Sequence, residues 1–313
     1  MLISAVAWLI QTYCETVADN DVVEPPANIT VEELFRLPLI VKGVEVRGVA
    51  YLNGKIYILQ LESKFISVYS MENIHSQPKR IESAGFVRPQ DMAACSARNV
   101  LYILDQLCIW KVDKNDNISI YVHLSHLYAT MSITKERILV TSSSLVSRCT
   151  RSIWKPSVVE VRLPVGLSET KPWHAVEVDG GLVIAHTEAA RFNRVSRVEE
   201  SQRNRANVEV STYEKAVEGI DRLSHPVYLA QEPKHGHIFV ADDTNRRVVV
   251  LDRNLTKSVL MITELPPECY PNRLCYVEER RTLLVGTSDG RIIAYKIIRY
   301  TRIFSSYTRI FSS

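Results

Sequence analysis

What the chain lacks narrows its identity first. Its six cysteines, Cys14, Cys95, Cys108, Cys149, Cys269 and Cys275, include no CxxC pair, which speaks against a zinc cluster and against a dense disulfide framework. No Gly-rich phosphate loop, no G-x-S-x-G elbow and no H-E-x-x-H helix occurs, so nucleophilic catalysis has no motif to stand on. The apolar run Leu2–Ile10 covers nine positions, well short of the roughly 20 that a membrane-crossing helix needs. No window of three or more turns carries an uninterrupted helical stripe, so helix should be minimal. Charge of one sign is scarce too: 38 Lys and Arg stand against 35 Asp and Glu, a net of +3. That excess is too small to imply nucleic acid or an anionic membrane by itself.

What is present is an ordinary folded composition. Hydrophobic residues make up 46% and charged residues 23% of 313, which argues against disorder, collagen or a membrane bundle. The length fits one large β-domain or two ordinary domains, with a core that needs no disulfide staples. Leu2–Ile10 also reads as the apolar part of a secretory signal, with Thr16-Val17-Ala18 as a small-residue cleavage site, although no Lys or Arg precedes it. Sequons at Asn28, Asn117 and Asn254 permit glycosylation, but the pattern is too loose to decide between an extracellular and a cytoplasmic protein. At the other end, Tyr300–Ser306 (YTRIFSS) is copied at once as Tyr307–Ser313. This tandem copy is expected to lie outside the fold.

Short β-branched runs recur along the chain. They are Lys55–Leu59 (KIYIL), Val100–Leu104 (VLYIL), Arg137–Thr141 (RILVT), Gly181–Ala185 (GLVIA), His237–Ala241 (HIFVA) and Thr282–Gly286 (TLLVG). Their second residues, 56, 101, 138, 182, 238 and 283, are separated by 45, 37, 44, 56 and 45 positions. That period suits a four-stranded propeller blade. Upstream of four runs a segment opens with Pro89, Pro172, Pro226 or Pro271, and proline suits the first residue of a strand, where no ladder donor is missed. Downstream come third strands at Phe65–Tyr69, Cys108–Val112, Arg247–Leu251 and Arg291–Tyr295. Outer-strand candidates are Ile118–Val122, Val158–Arg162, Val208–Thr212 and Ser258–Ile262.

The last repeat stops after its third strand. Phe35–Pro38 echoes Val161–Pro164, so the segment near Ile29–Leu39 is expected to complete the last blade and remove two unpaired sheet edges. A β-sandwich would show no higher period near 45. The fold class is therefore all-β, a six-bladed propeller of four-stranded antiparallel blades closed by an N-terminal strand. The propeller is assigned to residues 28–298, with an N-terminal segment at 1–27 and the duplicated tail at 299–313.

The stretch Pro226–Ala230 followed by His237–Asp252, with its turn Asp242-Asp-Thr-Asn-Arg-Arg247, resembles an NHL repeat. Pro271–Ile297 is similar with a weaker turn, Thr287–Gly290; blades one and two keep the strands without the Asp-x-x-Asn-x-Arg signature, and blades three and four diverge most. The physical role of Asp242 and Asn245 is local, since Asp and Asn cap backbone donors in tight turns. The family includes tripartite-motif RNA-binding regulators, a peptide-amidating lyase and extracellular proteins without known activity, so the resemblance implies a fold and leaves function to the site.

Two kinds of chemistry are candidates at the channel. Lactonase-like propellers hold a divalent cation with carboxylates and amides from several blades. Here the residues near the starts of the first strands are Arg47, Gln90, Asp91, His174, His225 and Asn272. Asp91 and Asn272 are suitable ligands without a matching Glu and second Asn; His174 and His225 are suitable for zinc without a third histidine. Asp113–Asn117 opens like a calcium loop, but Ile118 stands where glycine is needed and Leu124 where the bidentate Glu belongs. No catalytic residue, cofactor or metal is therefore assigned.

The segment Arg191–Arg205 carries Arg191, Arg194, Arg197, Arg203 and Arg205, a candidate phosphate-contacting surface. The plainer reading is an exposed loop of solvated charge, partly neutralised by Glu199 and Glu200, with only Phe192 to stack on a base. Val146–Pro156 lacks the apolar run of the other third strands, so a distorted blade is expected there. Cys95 and Cys108 fall on the first and third strands of one blade, about 9.6 Å apart, too far to bridge. Cys269 and Cys275 flank a proline turn and could approach each other.

The sequence thus favours a noncatalytic, monomeric propeller domain with a protein partner. Single-stranded RNA is the alternative partner, and a metal-dependent lactonase-like or lyase-like enzyme the second alternative.

Overall fold

The structure, a computed structural model, describes residues 28–37, 43–134, 137–150, 156–161, 163, 167, 170–178, 181–187, 193–199, 209–213, 223–263 and 265–300. Residues Val31–Ile297 form one compact unit; of a second, Met1–Thr30 with Ile298–Ser313, only residues 28–30 and 298–300 are described. Six four-stranded antiparallel sheets make up the first unit, and each repeat read from the sequence is one sheet.

Blade one is β2 (Val46–Leu52), β3 (Lys55–Gln60), β4 (Phe65–Ser70) and β5 (Lys79–Glu82). Blade two is β6 (Asp91–Cys95), β7 (Val100–Asp105), β8 (Cys108–Val112) and β9 (Ile118–His123). Blade three is β10 (Thr130–Ile133), β11 (Arg137–Thr141), β12 (Val146–Thr150) and β13 (Val158–Val161). Blade four is β14 (Lys171–Val178), β15 (Gly181–Thr187), β16 (Asn193–Glu199) and β17 (Glu209–Tyr213). Blade five is β18 (Pro226–Glu232), β19 (His237–Asp242), β20 (Arg247–Leu251) and β21 (Ser258–Ile262). Blade six is β22 (Pro271–Val277), β23 (Thr282–Thr287) and β24 (Ile292–Tyr300), completed by β1 (Asn28–Leu37) from the other end of the chain. This is the six-bladed propeller closed by an N-terminal strand that the period implied.

The inner strands β2, β6, β10, β14, β18 and β22 neighbour one another in a closed ring. Apolar side chains on both faces of each sheet pack against the next blade, so the core is a ring of sheet-on-sheet contacts. Leu59, Ile66, Met92 and Ile103 join blades one and two, and Val183, Val195, Leu229 and Val240 join blades four and five. Leu37 of the closing strand packs with Val46, Ile58 and Leu284. Each fully buried Val, Leu or Ile of this kind contributes about 1.5–3 kcal/mol, and burial on both faces is why the second strand of every repeat reads as a continuous apolar run.

The second strands share one polar position. They end at Gln60, Asp105, Thr141, Thr187, Asp242 and Thr287. In blades one, two, four and five that side chain is bonded beside the start of its own inner strand. Gln60 Nε2 donates to the carbonyl of Val44 (3.1 Å), Thr187 accepts the Trp173 indole (2.8 Å), and Asp105 accepts the amides of Val87 (2.8 Å) and Arg88 (2.7 Å). In blade five, Asp242 accepts the amides of Ser224 (2.8 Å) and His225 (3.1 Å), together with Asn245 Nδ2 and Arg247 Nε, both at 2.8 Å. The Asp-x-x-Asn-x-Arg pattern is thus a blade fastener: one carboxylate satisfies four donors that burial would otherwise leave without water.

Two expectations are corrected. β12 pairs regularly with β11 along Val146–Thr150 and with β13 along Val146–Cys149, so this blade keeps its third strand, where Ser147 accepts the Tyr128 hydroxyl (3.0 Å); residues 151–155 of the stretch expected to be distorted lie outside the described residues. Residues 193–199, read as part of a solvated loop, form β16 between β15 and β17. Its Val195, Ser196, Arg197 and Val198 are buried, and a strand covered on both sides can carry polar residues only because partners meet them. Among the described residues helix is limited to two turns, Ser96–Arg98 and Glu278–Arg280, and to Leu167, and no helix is long and apolar enough to cross a membrane. The tandem tail beyond Tyr300 lies outside the described residues.

Candidate functional site

The starts of the inner strands converge on the propeller axis, and side chains from four blades close it there. Asp91 opens β6 and is fully buried. It accepts the amide of Met92 (2.8 Å) on Oδ1, the amide of Met131 (2.8 Å) on Oδ2 and the hydroxyl of Tyr228 (3.0 Å to Oδ2). Arg273 of blade six lies beside it, with Nε 3.7 Å from Oδ1. The same guanidinium donates to the carbonyls of Arg47 (2.6 Å), Asn272 (2.6 Å) and Gln90 (3.4 Å) and lies 5.1 Å from the centre of the Tyr228 ring. His174 of blade four stacks on Tyr228 with centroids 3.8 Å apart. Its Nε2 faces the carbonyl of Met131 (3.2 Å) and its Nδ1 faces the amide of Leu229 (3.2 Å). A carbonyl only accepts and an amide only donates, so the ring is neutral with its proton on Nε2.

Burial sets the protonation of this group. It raises the Asp91 carboxyl to about 6, with the Arg273 charge and the amides of Met131 and Met92 pulling the other way. Burial lowers His174 to about 3 despite its bond to Met131, and pushes the Tyr228 hydroxyl well above its ordinary range. At neutral pH the axis therefore holds one carboxylate, one guanidinium and two neutral rings. Their bonds run to backbone groups of blades one, two, three, five and six, so the cluster works as a lock on the ring.

Beyond the lock the channel widens into a cavity of about 520 Å³. Its walls are inner-strand residues such as Ala50, Ala93, Ile133, Val176, Ala230 and Leu274, and its far end lies among Ser96, Glu177, Gln231, Glu278 and Glu279. Arg137 and Arg148 both reach Glu177 (3.1 and 3.5 Å), and Tyr51 donates to Glu279.

The candidate residues named from the sequence separate on this frame. Asp91 and His174 meet at the axis. All the bonding atoms of His174 and both oxygens of Asp91 are committed to protein partners, so the geometry gives each a structural task. Asn272 sits between blades six and one, where its Nδ2 donates to Glu45 Oε1 (2.8 Å) and the carbonyl of Val46 (3.0 Å). His225 is half-buried just before β18, beside Asp243 (3.1 Å) and edge-on to Trp173 (5.0 Å). Arg197 is buried and donates to the carbonyl of Arg253 (2.9 Å), and Arg194 is half-buried on β16. Arg191, Arg203 and Arg205 lie outside the described residues. Cys269 and Cys275 are unbridged, as are Cys95 and Cys108; Cys269 is instead 3.5 Å from Asp289 and Cys275 packs in the core between blades six and one.

Tyr228 and Arg273 escaped the sequence reading. Both stand at the third position of an inner strand, as Tyr228 in Pro226-Val-Tyr and Arg273 in Pro271-Asn-Arg, so the repeat alignment carried their signal. In comparisons with known proteins, no family model and no curated protein matches the chain.

Proposed function

We propose that the chain is a noncatalytic propeller of the NHL kind that binds a protein partner on the face where its inner strands begin. The observation that carries this reading is the distribution of exposed apolar side chains. Val87 (70% exposed), Leu127 (65%), Leu107 (51%), Tyr270 (40%) and Trp173 (36%) all stand at that face. Val87, Leu127 and Tyr270 lie in the segments that lead into β6, β10 and β22, Trp173 is near the start of β14, and Leu107 is in the β7–β8 turn at the same end. The other large exposed apolar residues among those described, Leu34, Ile120 and Val159, are scattered on outer strands. Contiguous exposed apolar surface marks interaction sites, and aromatic and aliphatic anchors on rigidly held loops are what a protein interface uses. The fastener built on Asp242, Asn245 and Arg247 supports the NHL likeness. The mutual satisfaction of the axial groups supports a structural use of the channel lock.

The test is a binding titration with a partner recovered by pull-down, using the chain and a Val87→Asp/Leu127→Asp variant. A loss of about tenfold or more in affinity is expected, since removing a central anchor typically costs over 1 kcal/mol. Equal binding by the variant, or salt-sensitive retention of a random single-stranded RNA pool by the unaltered chain, would overturn it.

A further inference from the structure

Away from the axis, the β18–β19 hairpin gathers a second set of polar side chains. Glu232 ends β18 and His237 begins β19, and the two are paired across the ladder. The turn between them, Pro233–Gly236, is closed by the amide of Gly236 donating to the carbonyl of Glu232 (3.0 Å). Gly236 has φ +73, and a Cβ there would meet the Arg253 side chain at 3.0–3.2 Å, so the turn places glycine where the backbone is left-handed and a neighbouring side chain is close. That shape folds His235 back over the carboxylate: its amide donates to Glu232 Oε2 (2.9 Å) and its Nδ1 lies 3.1 Å from Oε1. Nδ1 of His237 lies 3.4 Å from Oε2. Two imidazoles thus turn the same ring nitrogen toward one carboxylate. The ligand atoms of the three residues all lie within 4.8 Å of one another.

We propose that Glu232, His235 and His237 bind a divalent first-row transition cation of the Zn²⁺ class. The donor set decides the class: two imidazole nitrogens and one carboxylate oxygen suit zinc and its neighbours and disfavour Ca²⁺ and Mg²⁺, which take oxygen. The distances fit as well. A tetrahedral ion with bonds of about 2.0–2.1 Å separates its ligands by about 3.3 Å, and Glu232 Oε2 lies 3.2 Å from Nδ1 of His235 and 3.4 Å from Nδ1 of His237, separations that bracket that value. In the metal-free state each Nδ1–H donates to the carboxylate. With the ion bound, each imidazole carries its proton on Nε2 and gives the Nδ1 lone pair to the cation. The Glu232 side chain is only 5% exposed while that of His235 is 38% exposed, so the ion has a buried anchor and an open side. Three protein ligands leave a fourth position for water or an incoming group. The neighbouring residues of the hairpin, Gln231 and Pro233, line the channel cavity, which puts the site at the channel's far end, opposite the apolar face proposed for a protein partner.

The full chain, freed of metal with a chelator, is titrated with Zn²⁺ by calorimetry and with Co²⁺ by visible absorption. One ion per chain is expected, with the strong visible bands of a four-coordinate cobalt site and a rise in melting temperature on adding Zn²⁺. His235→Ala, compared with its own metal-free melting temperature, should weaken binding by about tenfold or more and abolish the Zn²⁺-induced rise. His237→Ala should do the same, and His75→Ala, at an exposed site in another blade, should change nothing. Absence of saturable binding at one ion per chain, or binding that survives both His235→Ala and His237→Ala, would overturn the site.

Discussion

Tyr228 donates its hydroxyl to Asp91 at 3.0 Å across 137 positions of sequence, at the axis where no two neighbouring repeats alone could bring them together. The bond joins blade five to blade two through the centre of the ring, and Arg273 from blade six flanks both residues. A propeller held only by contacts between neighbouring blades is a closed chain of equal links. This cluster adds a hub, and the consequences of removing parts of it are measurable.

Tyr228→Phe removes that donor and leaves a buried carboxylate oxygen one partner short. A hydrogen bond to a charged group contributes about 1.5–3 kcal/mol, so urea unfolding should show a loss of that order with an unchanged slope. His174→Phe keeps the stacked ring and deletes the bonds to Met131 and Leu229, and a smaller loss is expected because both partners are neutral backbone groups.

Acid should destabilise the fold through its buried histidines. His174 is lowered to about 3 and His186 to about 4, mainly by burial, so between about pH 4 and 6 the unfolded chain binds their protons and the folded chain does not. Asp91, raised to about 6, works in the opposite sense, since its folded form holds a proton that the unfolded form has lost. Two histidines against one carboxyl leave about one proton more on the unfolded state, and stability should fall by about 1.4 kcal/mol per pH unit on acidification through that window. In His186→Gln the two remaining groups cancel. Melting curves at several pH values should then show a nearly flat dependence between about pH 4 and 6 where the unaltered chain declines.

The blade fastener predicts a contrast between two aspartates. Asp242 is fully buried and holds Arg247, itself only 7% exposed in its side chain, at 2.8 Å. Asp242→Ala breaks that buried pair and takes the shared acceptor from Ser224, His225 and Asn245 as well, which costs about 3–5 kcal/mol. Asp113 also closes a turn, accepting the amides of Asn115 and Asn117, but at the open surface. Asp113→Ala should move the unfolding midpoint far less in the same denaturant titration.

Gly48 stands at a close approach of blades one and two. A Cβ at this position would stand 2.8 Å from Met92 Cγ and 3.0 Å from the Met92 backbone nitrogen. The backbone cannot yield as a side chain can, so Gly48→Ala should cost about 1–3 kcal/mol by overpacking. Gly54, with nothing within 4 Å and φ +75, should lose stability on replacement by alanine through backbone strain alone, by about 1 kcal/mol. Asn99 accepts the side-chain amide of Asn53, next to Gly54 (2.6 Å), and calorimetric melting separates the two causes when Gly48→Ala is combined with Met92→Ala and Gly54→Ala with Asn99→Ala. Met92→Ala should relieve Gly48→Ala in part, whereas Asn99→Ala should leave the Gly54→Ala loss unchanged.

The strands were legible because burial on two faces writes a run of β-branched residues into each repeat. The outer strands of blades two and five fall at Ile118–His123 and Ser258–Ile262, close to where the repeat placed them. β16 was illegible for the opposite reason. Its buried Ser196 and Arg197 are satisfied by His186 (2.8 Å) and by the carbonyl of Arg253 (2.9 Å), partners that no local pattern discloses, so a covered strand resembles a charged loop. The same limit hid the hairpin site: Glu232-x-x-His235-x-His237 stands plainly in the sequence, but only the pairing of Glu232 with His237 and the turn of Gly236 bring the three side chains to one point.

The sequence by itself determined the period, the number of blades and the closing strand, because each is a local pattern repeated by the same packing requirement. Tertiary structure alone decided what the polar residues do. Whether Asp91 and His174 face a ligand or one another depends on Tyr228 and Arg273, which arrive from blades five and six. A buried charge takes its protonation and its partners from the groups that surround it in space, and in a ring those groups come from the whole length of the chain.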